Sequence, residues 1–304
     1  LKTLIARHTP NRLSKESFRI LHLLQIAQWM SLDVAVGAMC SAALVCRLLD
    51  IWPLPWEPIC ILGAVVLLIY TVDHLFDAQH IPGKPVTGRH LFHWQHQREL
   101  LVFTAILTLF TAFAALLFLP SRLIVFGTVL GTLVLLYLWL VNTLKSGQAR
   151  RWFHKEVCVA FVYTAGIWGV GFVQAKSLSA IHWLLAFAFG LVVLQNLFLF
   201  SWYELAEDIQ QQQRSAVEIW GQESSRKVLW SLFIVFAGNA WLLYSMTDDS
   251  FIYRVLLGFG MMSGILAMLF AFPKLFRKNY RYRLIGDGVF FIPGFLLLIH
   301  LLFT

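Results

Sequence analysis

Asp73 and Asp77 close an apolar run that opens at Ile59, and Glu204 and Asp208 close a second one far downstream. Carboxylates four residues apart on a helix stand one above the other on the same face. Each acid costs at least about 2.5–3.5 kcal/mol near a bilayer centre and less toward an interface, so acids in such runs mark function. Mg²⁺ is a hard cation that commonly takes one or two carboxylates together with phosphate oxygens and water. Two acidic helix ends meeting across a cavity are therefore expected to hold a pair of Mg²⁺ ions, with Asp73, Asp77, Glu204 and Asp208 as ligands. Ions so placed would bind the diphosphate of a lipid whose tail lies in the bilayer. Neutralising the charge that builds on a leaving diphosphate is electrostatic catalysis of ionisation. The tail becomes an allylic cation, which aromatic faces stabilise, and aromatic residues make up 15% of the chain.

Other polar residues lie close to these turns in sequence. The stretch from Gln79 to Glu99 holds Lys84, Arg89, His90, His93, His96 and Arg98. Arginine presents a fork that suits phosphate oxygens, so Lys84 and Arg89 are expected diphosphate contacts. The histidines also invite a transition-metal reading, but no cysteine accompanies them and the neighbouring carboxylates suit hard cations. The plain alternative is a basic face attracting anionic lipid. Lys145, followed by Arg150, Arg151 and Lys155, adds either anion contacts or topology signals. Asn196 lies two turns before Glu204 and extends its polar stripe, and Asp33 falls with Gln25 and Gln28 in the first apolar run. Asn196 and Asp33 are expected on the acceptor side, the alternative for Asp33 being an interhelical hydrogen bond or a buried ion pair. Asp287 follows Arg283 by four residues, and a local pair between them is sufficient to explain it.

These residues must be positioned by membrane helices. Hydrophobic residues make up 59% of the chain and charged residues 13%, far from the roughly 25% charged of globular proteins. Apolar runs long enough for a hydrocarbon core of roughly 30 Å fall at about 21–46, 59–79, 99–119, 122–143, 156–175, 181–203, 227–246, 251–272 and 284–303. The expected fold is an all-α membrane protein of nine transmembrane helices around a central cavity, one domain over 21–304, after a basic cytoplasmic segment at 1–20. With the N-terminus in the cytoplasm, twenty Lys and Arg fall on the inner side and four on the other, Arg47, Arg122, Lys176 and Arg254. That asymmetry follows the positive-inside rule and puts both acidic turns at the cytoplasmic face. It also accounts for the net charge of +8 without a nucleic-acid partner. The four cysteines show no CxxC spacing and read as packing residues.

The pattern resembles the UbiA superfamily of intramembrane aromatic prenyltransferases, with nine helices and aspartate-rich motifs after the second and sixth. The family's first motif, N-D-x-x-D-x-x-x-D, places its last two acids on Asp73 and Asp77, with Ile69 and Tyr70 at its Asn and first Asp. The second, D-x-x-x-D followed by Gly and then Ser or Thr, falls on Glu204 and Asp208, with Gln212 and Ser215 next. Lys84-Pro85 echoes the family's Arg-Pro, Lys145 its Tyr-x-x-x-Lys with Val141 at the Tyr, and Asp287 with Pro293 its last helix. The resemblance implies Mg²⁺-dependent transfer of a prenyl group from its diphosphate to a lipophilic or aromatic acceptor, at the inner face of the cell membrane. Alternatives are a terpene cyclase of the same fold, a non-catalytic isoprenoid-lipid-binding protein with a degenerate site, and a transporter. The cyclase needs no second substrate, the binding protein forms no product, and the transporter gives flux across sealed vesicles.

Overall fold

The computed structural model describes residues 25–80, 87–143, 155–210 and 215–303, and among them all regular structure is helical. The long helices are α1 (Leu32–Leu48), α2 (Trp56–His80), α4 (Gln97–Phe118), α5 (Ser121–Thr143), α6 (Lys155–Phe172), α7 (Ala180–Gln210), α9 (Gln222–Met246) and α10 (Ser250–Ala271). Shorter pieces are α3 (Gly88–Gln95), α8 (Ala216–Trp220), α11 (Pro273–Phe276), α12 (Arg281–Gly288) and α13 (Ile292–Phe303). Six segments among the described residues are long and apolar enough to cross a membrane, in α2, α4, α7, α9, α10 and the Arg281–Phe303 stretch. The other three expected spans fall on shorter or less apolar helices: α1 with 17 residues, α6 with 18, and α5, whose apolar part is Ser121–Leu136. The chain is an integral membrane protein by this architecture.

Helices α1, α6, α7, α10 and α13 close a ring, since α1 touches α6 and α13, α7 touches α6 and α10, and α10 touches α13. Between membrane helices close van der Waals packing replaces the hydrophobic effect, so small residues gather where backbones approach. The buried face of α1 carries Ala35, Ala38, Ala42 and Ala43. A Cβ at Gly37 would lie 2.8 Å from Phe290 Cβ, and one at Gly294 would lie 2.8 Å from Cys40 Sγ. Polar side chains supply interhelical hydrogen bonds: Asn239 Nδ2 donates to the Leu184 carbonyl (3.2 Å), Gln195 Nε2 to Leu232 (3.3 Å) and Tyr203 Oη to Leu269 (2.7 Å). Hydroxyls on the outer helices satisfy themselves within the helix, as Thr104 does on Leu100 and Thr128 on Ile124. The outward face of α4 presents Ile106, Leu109, Phe110 and Phe113 to lipid.

Two interruptions shape the site. The first apolar run is helical at 25–29 and breaks at Met30 and Ser31, the latter at φ 59°, before α1 begins. Asp33 therefore lies in the first turn of α1 and not in mid-span as its sequence position suggested. A carboxylate there is favoured by the positive end of the helix dipole, and its Oδ1 accepts from the Val34 amide (3.0 Å). The last span is split into α12 and α13 by a single tight turn at Val289–Phe291. Pro293 has no amide hydrogen to carry a continuous ladder through that point.

Candidate functional site

At the end of α2, Asp73 and Asp77 lie on one face, as their spacing requires. Both converge on one cation. Lys155, in the first turn of α6, places Nζ 3.0 Å from Asp73 Oδ1 and 3.1 Å from Oδ2, and 3.7 Å from Asp77 Oδ2. All three side chains reach solvent, Lys155 at 48%, Asp73 at 37% and Asp77 at 30%.

The second acidic turn is built differently. Glu204, on α7, is 15% exposed and gives both carboxylate oxygens to the Arg283 fork of α12. Tyr282 Oη donates to the same Glu204 Oε1 (2.7 Å), and its ring stacks on Tyr203 with centroids 4.1 Å apart. The guanidinium of Arg283 also lies over the Phe200 ring, 5.4 Å from its centroid. Thus the hydrogen-bonded partner of Arg283 is Glu204 across helices, while Asp287 at i, i+4 stays within its electrostatic reach. Asp208, one turn beyond Glu204, lies near the Ser215 side chain, whose Oγ accepts from the Glu218 amide (3.3 Å).

Arg89 joins the two turns. From α3 its Nη1 lies 2.9 Å from Nε2 of His74, the neighbour of Asp73, and it stands in electrostatic reach of Glu204, Asp287 and Asp33. A guanidinium can only donate, so His74 must accept on Nε2 and carry its proton on Nδ1. His93 accepts no such bond: its Nδ1 lies 3.0 Å from the Arg89 carbonyl, which can only accept, so Nδ1 carries the proton and Nε2 does not. The buried atoms left over, His74 Nδ1 and His93 Nε2, are a donor and an acceptor on rings 5.1 Å apart. His74 thus orients the Arg89 guanidinium, and the His93 ring packs beside His74. Among the described residues no group of three or more His, Cys, Asp or Glu is arranged to hold a metal ion. Burial, then repulsion from Arg283, pushes the Arg89 guanidinium down to about 10, still charged at neutral pH, and burial lowers His93.

Asn196 is buried on α7 and lies close enough to Asp287 to interact with its carboxylate. Gly286 permits the approach: a Cβ there would lie 2.7 Å from Asn196 Oδ1. Asp33 reaches the same group electrostatically, with Asp287, Arg89 and Arg283. Of the expected residues, Asp33, Arg89, Asn196, Glu204 and Asp287 therefore fall into one connected cluster, and Asp73 with Asp77 adjoins it through His74. Lys84 and Lys145 lie outside the described residues.

No family model and no curated protein matches the sequence. One solved structure does match, a UbiA homolog from Archaeoglobus fulgidus bound to GPP and Mg²⁺. It superposes with a TM-score of 0.52 over 90% of this chain and 98% of that one, at 12% identity. The fold is UbiA-like.

Within this UbiA-like fold, four participants were not picked out by sequence spacing. They are Lys155, expected only as one of the cations that follow Lys145, and Tyr282, His74 and Glu156, which no motif marks. Glu156 is buried in the first turn of α6 and accepts from Ser201 Oγ (2.8 Å) and the Ala216 amide (2.8 Å), tying α7 and α8 to α6. The signal for it was available: a Glu beside a Lys at the start of an apolar run is an acid at a helix N-terminus.

The two acidic turns differ in their fit to a divalent cation. Asp73 and Asp77 already converge on a positive charge, hard oxygen donors suit Mg²⁺, and the exposed ammonium of Lys155 can withdraw. Glu204 has both oxygens committed to a guanidinium that is itself 23% exposed, so the second turn does not fit one in this arrangement.

Proposed function

We propose that this protein is an intramembrane prenyltransferase, moving a prenyl group from a prenyl diphosphate to a lipophilic or aromatic acceptor with Mg²⁺ at Asp73 and Asp77. The observation that carries the reading is the convergence of these carboxylates on one cation position beside Arg89, in a fold shared with a protein bound to GPP and Mg²⁺.

When bound, Mg²⁺ neutralises charge on the diphosphate oxygens. Arg89, held by His74, donates to the diphosphate, and Lys155 swings from the carboxylates to join it. The C1–O bond of the donor then breaks heterolytically, its electron pair leaving with diphosphate. The acceptor's nucleophilic atom takes the allylic carbocation and then loses its proton. Asp33, Asp287 and Asn196 form the polar wall on the acceptor side. Lys84 and Lys145 are further diphosphate contacts by their place in the sequence. In this reading the N-terminus and the site lie on the cytoplasmic side of the cell membrane, which the excess of Lys and Arg expected on that side supports.

A second reading is favoured by the ion pairs Lys155–Asp73 and Arg283–Glu204 and by Tyr70 at a position where the family pattern has an acid: a non-catalytic binder of isoprenoid lipid. Purified protein with GPP, Mg²⁺ and membrane extract distinguishes the two by prenylated product. Product that requires the extract supports the transferase, product without it points to a cyclase, and GPP retained unchanged points to the binder.

A further inference from the structure

We propose that Arg283 stands in for a second metal ion, so that this site works with one divalent cation, at Asp73 and Asp77, and a fixed guanidinium at Glu204. The inference rests on the prenyl-transfer reading and deepens it.

The two acidic turns are equivalent in sequence, each an i, i+4 pair of acids at the end of an apolar helix, and the structure makes them unequal. At the first, the counter-charge is a flexible amine on a four-carbon stem, nearly half exposed, at 3.0 to 3.7 Å from the two carboxylates. Such exposed pairs are weak, at about 0–1 kcal/mol, and a divalent cation competes with the amine for the same oxygens. At the second, the counter-charge is an arginine in bidentate contact, held by a ring beneath it, Phe200, and by Tyr282 bonded to the same carboxylate. Arginine stays protonated and presents a rigid fork matched to a carboxylate, and breaking a buried pair leaves an uncompensated charge. Mg²⁺ has to displace that fork to reach Glu204, whereas it has only to displace Lys155 to reach Asp73.

Among the described residues, Arg89 stands in electrostatic reach of Asp33, Glu204 and Asp287, Lys155 pairs with Asp73 and Asp77, and Arg283 acts on Asp208 as well as Glu204. Arg283 has donors beyond those on Glu204, because a guanidinium carries five N–H groups and two of them make the fork. Those remaining are available to a diphosphate oxygen held between the turns, with Arg89 on the other side.

The test counts metal ions. Full-length protein in detergent is titrated with Mn²⁺, used as a paramagnetic surrogate for Mg²⁺, in the presence of a non-ionising geranyl thiolodiphosphate, and free Mn²⁺ is read by its EPR signal. The expected result is one bound Mn²⁺ per chain, lost in Asp73→Asn and kept in Glu204→Gln. Arg283→Gln, which releases Glu204 beside Asp208, is expected to raise the count to two. Two ions in the wild type, or loss of the single ion in Glu204→Gln, overturns the proposal while leaving the prenyl-transfer reading intact. No bound ion in the folded wild type overturns both. Should Arg283→Gln fail to fold, the wild-type count decides alone.

Discussion

Replacing Arg283 by Leu removes the fork from Glu204 and leaves that carboxylate in a pocket floored by Phe200 and Tyr282. Removing one partner of a buried pair costs about 3–5 kcal/mol. Here the side chains are 23% and 15% exposed and the Tyr282 hydroxyl still donates to Glu204, so the expected loss is about 2–4 kcal/mol. Glu204→Leu strands the arginine in the same way, with a similar loss. The double variant removes both charges and puts apolar groups of similar volume in contact, which is often close to neutral, within about 1 kcal/mol. A double-mutant cycle read by unfolding in mixed detergent micelles should therefore give a coupling of about 3–8 kcal/mol, the sum of the two single losses less that of the double variant. Losses that simply add in the double variant, or an Arg283→Leu cost below about 0.5 kcal/mol, would refute the account of the pair.

Lys155→Ala should leave stability nearly unchanged, because its partners are exposed, and should tighten Mg²⁺ binding up to about five-fold by removing a competing charge; an unchanged titration would count against the shared cation position. Gly37→Ala should cost about 1–3 kcal/mol by forcing a Cβ into Phe290, whereas Gly127→Ala, with nothing within 4 Å, should cost none. Because burial lowers His93, the unfolded chain takes up that proton first on acidification. Stability at His93 is then present above its ordinary value of 6.5 and falls as pH drops below it. Thermal midpoints from pH 8 to 5 check this, with the slope reduced in His93→Gln and an unreduced slope arguing against it.

The path of the chain was legible because apolar runs longer than a bilayer is thick have few alternatives to a helix. Within it, Asp73 with Asp77 and Glu204 with Asp208 were legible as pairs because helical spacing alone puts them on one face. Their counter-charges were not. Lys155 lies 82 residues from Asp73 and Arg283 lies 79 from Glu204, and nothing local to either lysine or arginine names its partner. For Arg283 the local signal pointed elsewhere, to Asp287 at i, i+4, and tertiary packing of α12 on α7 overrode it. The break at Ser31 was equally silent, because neither glycine nor proline marks a left-handed residue there. The short helix α3 falls between two apolar runs and carries no apolar run of its own, although Thr87 before Gly88 is a residue type that favours helix starts. That helix is what turns Arg89 from a loop cation into a fixed donor beside His74.

The most direct measurement is release of inorganic diphosphate from geranyl, farnesyl and geranylgeranyl diphosphates by the purified protein. It should be made with membrane extract, in Mg²⁺ and in EDTA, beside Asp73→Asn and Asp77→Asn. The account predicts release that requires the metal and falls at least about 10²-fold in each variant, the scale on which lost transition-state charge stabilisation is felt. Release that is indifferent to Asp73 and Asp77, or no release from any donor by folded protein, would contradict it.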